Sequence, residues 1–282
     1  MTVLQGILLG ALQGIAEFLP ISSSGHLAVA QNLFGLEEVP LLFDVFLHLA
    51  TLFAVCIYFR KKIWELLKIL GRFIARKPRK EPENNEDLLC GTEIAGRKTI
   101  LAMLITTAIT GIFGIFTSKM IPELSIKVTC AGFIFTAFLL IISSFIEKRS
   151  HISEEKTPKG ISVCQSIVVG FMQGVGTLPG ISRSGSTIAG ALFSKVDRKA
   201  AGDYSFIVSI PAILGAFILE LKDLGEVSSS IGFLPVFAGC LTAFVFGYFS
   251  LVFLMKLIRK GKLAFFACYL IPLGILGLIF LK

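Results

Sequence analysis

Four long stretches without a charged side chain constrain this sequence more than any other feature. They cover residues 99–118, 128–146, 227–255 and 263–281. A helix needs about 17–25 predominantly apolar residues to cross a bilayer, and each stretch reaches that length. Only 16% of the 282 residues are charged, against about 25% in a typical soluble domain. The sequence therefore predicts an integral membrane protein built from helices.

The basic residues predict how this protein is oriented. Of the 27 lysines and arginines, 22 fall in four segments beside apolar runs, namely 60–98, 147–159, 195–199 and 256–262. Cytoplasmic loops carry such an excess, so we place all four on the cytoplasmic side. None alternates with stacking aromatic residues as a nucleic-acid groove would, which excludes nucleic acid as the reason for the net charge of +8. Residues 76–98, polar and of mixed charge, are interpreted as a mobile cytoplasmic insertion without a chemical role.

With the basic segments inside, six crossings follow. They are residues 41–59, 99–118, 125–146, 203–220, 231–255 and 264–281. The acidic segment 220–226 is then external. Residues 3–35 and 161–197 are left over, and the apolar stretch after the serine-rich loop of each is too short to span. We expect both to be re-entrant helix–loop–helix hairpins, the first entering from outside and the second from the cytoplasm.

The two hairpins are also copies of each other. Residues 10–25 align without gaps with residues 170–185, and seven of the 16 positions are identical. Three crossings follow each copy, an odd number, so residues 1–146 and 161–282 would form halves of opposite orientation. The predicted fold is an all-α integral membrane protein of two inverted-topology repeats, each a re-entrant hairpin plus three transmembrane helices. Such folds bring broken helices together near the midplane, with helix N-termini facing an anionic ligand.

The loop of the second hairpin, PGISRSGST at 179–187, places an arginine among serines with no acidic partner in the motif. Pro179 and Gly180 break the incoming helix, and serine is a favourable N-cap residue for the helix that follows. Free N–H groups at a helix start and a planar guanidinium both suit phosphate oxygens. The predicted phosphate-binding residues come from both loops: Ser22, Ser24, Ser182, Arg183, Ser184, Ser186 and Thr187.

Gln13 and Glu17 are four residues apart and therefore lie on one face of the first hairpin helix. Their carboxylate and amide oxygens suit a hard divalent cation, Mg²⁺ or Ca²⁺. An ion pair between Glu17 and Arg183 that joins the two hairpins is the alternative. His48, inside the crossing 41–59, is interpreted as a structural or cavity-lining histidine.

Two motifs, QGIAEFLPISSSGH at 13–26 and PGISRSGST at 179–187, resemble the signatures of the undecaprenyl-diphosphate phosphatases associated with bacitracin resistance. The resemblance covers nearly the whole chain. It implies hydrolysis of undecaprenyl diphosphate to the monophosphate and phosphate, which recycles this lipid carrier for cell-wall synthesis. It also implies a divalent cation and a site facing the outer side of the bacterial plasma membrane. The family's functional residues fall here on Gln13, Glu17, Ser23, His26, Ser182, Arg183 and Thr187. Many members have a carboxylate where this chain has Gln13, so the cation site loses one charge.

The catalytic residues expected on this basis are Glu17, Ser23, His26 and Arg183. Ser23 and His26, three residues apart at a helix start, share a face. We expect Ser23 to be the nucleophile and His26 its base, partly because Ser23 aligns with Arg183 across the repeat. Three alternatives remain open: His26 attacks phosphorus itself, His26 protonates the leaving lipid phosphate, or a metal-bound water attacks.

A transporter or flippase of an anionic lipid is the main alternative function, because broken helices and inverted repeats are typical of transporters. A transporter needs no nucleophile, so the serine row beside Glu17 favours hydrolysis. The predicted partners are the undecaprenyl diphosphate substrate and membrane lipid, and both a monomer and a homodimer remain open.

Overall fold

The computed structural model describes residues 1–36, 41–78, 86–118, 125–149, 157–220 and 232–281, and within these ranges the chain forms helices and no strand. The helices are α1 (Val3–Phe18), α2 (Ser23–Leu33), α3 (Leu41–Tyr58), α4 (Arg60–Ile74), α5 (Glu93–Ser118), α6 (Ile126–Arg149), α7 (Val163–Val175), α8 (Arg183–Phe193), α9 (Arg198–Glu220), α10 (Phe233–Arg259) and α11 (Ala267–Phe280). A 3₁₀ turn, Leu263–Phe266, leads into α11. In lipid, a helix satisfies its backbone N–H and C=O groups within the segment.

Five of these helices have the length and hydropathy of membrane spans: α5, α6, α9, α10, and α11 with its preceding turn. They coincide with five of the six predicted crossings, although α5 begins six residues before the predicted crossing at 99. The sixth predicted crossing is α3, which is followed by α4 at a bend of 80°. This confirms a multi-pass helical membrane protein. The predicted external segment 220–226 lies, except for its first residue, outside the described residues.

The two predicted hairpins are present as helix–loop–helix units with matching starts. Helices α7 and α8 begin 160 residues after α1 and α2, and α2 and α8 both contain 11 residues. Capping boxes open both hairpins, Thr2 with Gln5 and Ser162 with Gln165. Helices α1 and α7 contain 16 and 13 residues and are too short to cross a bilayer upright. The re-entrant depth and the inverted orientation of the halves remain predictions.

The first helix of each hairpin packs against a spanning helix of the other half of the chain. Helix α1 meets α10 along glycines, and a Cβ added to Gly10 would lie 2.2 Å from the carbonyl oxygen of Gly239. Helix α7 meets α5, where a Cβ added to Gly170 would lie 3.0 Å from the Cβ of Ile109. Small residues let membrane helices approach closely and gain dispersion contacts. The two halves are thus held together by exchanged hairpin helices.

A buried ion cluster folds part of the predicted insertion onto the helices. The ammonium group of Lys62 on α4 lies 2.6 Å from a carboxylate oxygen of Asp87 and 2.5 Å from one of Asp203 on α9. Burial disfavours the charge of Asp87, but Lys62 and the N–H groups of Leu89 and Cys90 hold the pKa of Asp87 below its usual value. Residues 86–98 are therefore folded and do not belong to a mobile insertion. Residues 79–85 are not among the residues that the structure describes.

We expect Gly10→Ala to lower the stability of the protein by about 1–3 kcal/mol, because its methyl group forces α1 away from α10. Gly111→Ala is the matched control. Apart from its own helix, no atom of the described residues lies within 4 Å of a Cβ at Gly111, so alanine there raises helix propensity by up to about 1 kcal/mol. Thermal unfolding in detergent should separate the variants, and equal midpoints would contradict a tight α1–α10 contact.

Candidate active site

A buried carboxylate lies where the two hairpin loops meet. Glu17, in the last turn of α1, has a side chain only 3% exposed. One of its oxygens pairs with the guanidinium of Arg183 at the start of α8. The other lies 2.6 Å from the Ser23 hydroxyl, 2.9 Å from the Gln13 amide nitrogen and 3.2 Å from Nδ1 of His48. Helices α1, α2, α3 and α8 thus each direct at least one side chain to this carboxylate.

The first loop is shaped so that Ser23 faces back to Glu17. Ser22 has a φ of 70°, in the left-handed region, and its hydroxyl accepts the N–H of Gly25 at 3.4 Å. This cap starts α2 at Ser23. A non-glycine residue in that conformation costs of the order of 1–3 kcal/mol, and such strain concentrates at functional loops. The local strain at Ser22 therefore coincides with the point where the hydroxyl of Ser23 reaches the carboxylate.

The second loop positions Arg183 through close backbone packing. Gly180 has a φ of 77°, and a Cβ there would lie 1.8 Å from the carbonyl oxygen of Thr129, so only glycine fits. Ser182 caps α8 by accepting the N–H of Gly185 at 3.1 Å. The hydroxyl of Ser184 donates to the carbonyl oxygen of Phe18 at 3.1 Å, which fixes the start of α8 at the end of α1.

Most hydroxyls predicted to bind phosphate are engaged within the protein. Ser22 and Ser182 are helix caps, and Ser184 bonds to α1. Thr187 is buried against Ser205 on α9. Two residues of the predicted set remain. Ser24 is exposed. Ser186 is fully buried, and its hydroxyl has no partner among the described residues. Of the predicted phosphate-binding residues, Arg183 is the one that pairs with the Glu17 carboxylate among the described residues.

His26 belongs to a second polar contact and does not touch Ser23. Its Nδ1 lies 2.7 Å from the carbonyl oxygen of Ser22, which can only accept, so Nδ1 carries the proton. Its Nε2 lies 2.8 Å from the hydroxyl of Tyr269 on α11. In neutral His26 the Nε2 atom is therefore the acceptor and Tyr269 the donor. The Ser23 hydroxyl donates to Glu17 instead of the expected His26, and no hydrogen bond joins His26 to Ser23 among the described residues.

The sequence pointed to neither His48 nor Tyr269 as part of the site. His48 projects from an apolar helix, and its Nδ1 lies 3.0 Å from the amide nitrogen of Gln13. Tyr269 comes from the last helix, far from both loops in the sequence. A histidine inside an apolar run is a signal for the first, whereas no pattern in the sequence distinguishes Tyr269.

Arg183 retains capacity to bind an anion. Its side chain is 22% exposed, and among the described residues Glu17 is its only side-chain partner. A guanidinium carries five N–H donors, so others remain for a ligand. Ser23 is half-buried beside it. The site can therefore present a cation, a hydroxyl and a carboxylate base to one phosphate group.

The ligand chemistry of a divalent-cation site is present in part. The amide oxygen of Gln13 is buried and has no hydrogen-bond partner among the described residues. The amide nitrogen of the same side chain donates to the Glu17 carboxylate. Mg²⁺ is commonly bound by one or two carboxylates together with substrate phosphates. No group of three or more His, Cys, Asp or Glu residues suited to a metal occurs in the described part of the chain. The residues thus fit a cation that also takes ligands from the substrate.

The chain is similar to known proteins over nearly its whole length. The family model described as "Bacitracin resistance protein BacA" matches residues 6–276. A protein of Treponema denticola named undecaprenyl-diphosphatase is 46% identical over 275 residues, covering 98% of this chain and 96% of the relative. A protein of the same name from Desulforapulum autotrophicum is 38% identical and covers 99% and 98% of the two chains. Undecaprenyl-diphosphatase 1 of Shouchella clausii is 34% identical, with 99% and 97% covered.

The Glu17–Arg183 pair should show strong coupling in a double-mutant cycle. Removing one partner of a buried pair costs up to about 3–5 kcal/mol, because the other charge stays buried. Glu17→Gln and Arg183→Gln should therefore each lower the free energy of unfolding, while the double variant should lose less than their sum. Denaturant unfolding in detergent measures all four proteins.

A cycle of Glu17→Gln with Arg97→Gln serves as the control. Arg97 pairs with Glu93 and does not contact Glu17, so these two effects should add within about 0.5 kcal/mol. Additive effects for Glu17 and Arg183 as well would mean that the two side chains do not stabilise each other.

Proposed function

The chain belongs to the bacitracin resistance protein BacA family, and we propose that it hydrolyses undecaprenyl diphosphate to undecaprenyl phosphate and inorganic phosphate. The observation that carries this proposal is the convergence of Ser23 and Arg183, from different hairpins, on the buried carboxylate of Glu17. Arg183 binds the terminal phosphate with the donors that Glu17 leaves free. Its charge stabilises the phosphoryl group as negative charge shifts toward the leaving oxygen. The enzyme is thus a membrane phosphatase.

The proposed first step is attack by Ser23. Its Oγ forms a bond with the terminal phosphorus while the bond from that phosphorus to the bridging oxygen breaks. Glu17, 2.6 Å from Oγ, accepts the serine proton and passes it to the departing lipid phosphate. Water then attacks the phosphoserine, its proton goes to Oγ, and inorganic phosphate leaves. Glu17 replaces His26 as the base because Ser23 donates to it directly.

A divalent cation, Mg²⁺ or Ca²⁺, is proposed as part of the complex with substrate. Gln13 and Glu17 would hold it, and it would neutralise phosphate charge. The buried amide oxygen of Gln13, which has no partner among the described residues, supports this assignment. Because residue 13 is a glutamine and Glu17 is then the only carboxylate proposed for this site, we expect the cation to be bound weakly.

The arrangement in the membrane is also a proposal. The two halves are taken as inverted repeats in a bacterial plasma membrane, with the four basic segments cytoplasmic and the site open toward the outer side. The exchange of α1 and α7 between halves supports a common origin of the two hairpins. An outward-facing site suits an enzyme that restores the lipid carrier for cell-wall synthesis after its cargo has been used.

Phosphate release from undecaprenyl diphosphate in detergent tests this function. Arg183→Ala should lower the rate by about 10²–10³, the usual effect of losing one donor to a transition-state anion. Arg183→Lys should also be strongly impaired, because an ammonium group lacks the planar fork. Arg97→Ala, the matched control on α5, should keep its activity.

Wild-type protein treated with a chelator should lose activity and regain it with Mg²⁺. Unchanged activity after chelation would remove the cation from the proposal. Turnover that is normal in Arg183→Ala would remove Arg183, and an absence of phosphate release in all proteins would favour transport of an anionic lipid.

The nucleophile can be trapped by acid quenching during turnover of substrate labelled in its terminal phosphate, followed by peptide mapping. We expect the label on Ser23 and none in Ser23→Ala. Ser125→Ala is the control, since Ser125 is exposed and lies outside both hairpin loops. Label on His26 would instead make the imidazole the nucleophile. Reproducible absence of label from both residues would point to direct attack by water.

A further inference from the structure

Helix α4 carries an apolar face that the rest of the described protein leaves uncovered. Trp64, Leu67 and Ile74 are 61%, 51% and 72% exposed. Their spacing places them on one side of the helix. Large apolar side chains grouped in this way mark a binding surface when polar residues flank them. We call these three residues the α4 apolar face.

The opposite side of α4 is fixed to the protein. Leu66 and Ile69 are buried, and Ile69 packs so closely on α5 that its Cδ1 lies 2.3 Å from a Cβ placed on Gly96. Lys62 bonds to Asp87 and to Asp203 on α9. These contacts determine the rotation of the helix about its axis. The α4 apolar face therefore points outward as a consequence of the fold.

The direction of α4 is that of a helix lying on a membrane surface. The axis turns by 80° between α3 and α4. If α3 crosses the bilayer, α4 runs nearly along its surface. A helix that turns a tryptophan-containing apolar face to the lipid, with basic residues beside it, binds at the headgroup boundary with that face buried about 5–10 Å deep.

Three basic residues near this face are free of carboxylate partners among the described residues. Lys61, Arg76 and Lys77 form no ion pair there, whereas Arg72 pairs with Glu93 and Lys68 pairs with Glu65. Two copies of the chain that met through α4 would bring these like charges together. Anionic phospholipids would neutralise them, at about 1 kcal/mol per basic residue near the surface.

We propose that α4 is a binding surface for anionic phospholipid, with the α4 apolar face in the acyl–headgroup boundary and Lys61, Arg76 and Lys77 on lipid phosphates. The lipids belong to the leaflet at the Arg60 end of α3. This surface is separate from the Glu17 site and does not depend on the proposed hydrolysis.

Trp64 is the only tryptophan of the protein, so intrinsic fluorescence reports on α4 alone. Wild-type protein in phosphatidylcholine vesicles should show blue-shifted emission. Quenching should be stronger with bromines near the headgroup end of the acyl chain than with bromines near its tip, and aqueous iodide should quench weakly. Full quenching by iodide with no effect of brominated lipid would overturn the proposal.

Selectivity for charge is tested by adding the same small mole fraction of brominated phosphatidylglycerol or brominated phosphatidylcholine. The anionic lipid should quench Trp64 more, and Lys61→Gln/Lys77→Gln should lower this preference by up to about fivefold per charge. Lys127→Gln, at the start of α6, is the control and should retain it. Equal quenching by both lipids would refute anionic recognition. Protection from every quencher that increases with the protein-to-lipid ratio would assign the surface to a second copy of the chain.

Discussion

The ion pair between Glu17 and Arg183 is the interaction on which the rest of the site depends. A carboxylate that is almost fully buried must be paired and hydrogen-bonded, and here the partners come from two hairpins that are 160 residues apart in the chain. The pair therefore fixes the two loops relative to each other. The same carboxylate gives Ser23 an acceptor and holds the guanidinium beside it, so structural pairing and chemical function use the same atoms. Replacing the pair by apolar residues could preserve contact between the hairpins, but it would remove the proposed base and the guanidinium of Arg183.

The sequence predicted those features that depend on local composition or on repetition. Charge-free runs predicted the spanning helices because a bilayer imposes length and hydropathy together. The aligned serines at Ser22 and Ser182 predicted the starts of α2 and α8 because both are N-caps. One contact between distant segments, the Glu17–Arg183 ion pair, was among the alternatives drawn from the sequence, but the other contacts of this kind were not. The bond from Ser23 to Glu17 and not to His26 forms next to a left-handed backbone at Ser22, which the sequence does not indicate. Residues 86–98 are held in place because Lys62 pairs with Asp87 and Asp203. The sequence around Lys62 does not indicate this pairing.

The two hairpins have the same backbone plan but different polar content. In the first, Glu17 and Ser23 gather around a charge. In the second, Gln173 donates to the hydroxyl of Thr110 on α5 at 2.9 Å, and Thr106 on α5 bonds in turn to Tyr204 on α9 at 2.8 Å. These neutral contacts fix α7 on α5 and α5 on α9. One hairpin therefore carries most of the charged chemistry, and the other supplies the arginine on a rigidly supported helix. This asymmetry is consistent with a repeat whose copies have specialised after sharing one architecture.

The exchange of hairpin helices between the halves has a consequence for biosynthesis. Helix α1 leaves the ribosome first, yet its glycine-lined partner α10 begins only at Phe233. At about 5–20 residues per second, this interval is roughly 10–45 s. During that time α1 is too short to anchor itself across the bilayer and lacks the helix against which its close-packed face fits. Helix α7 is spared this delay, because α5 has already been translated when α7 emerges. The first hairpin therefore reaches its final packing only after α10 has been translated, although α1 precedes α10 by more than half of the 282 residues.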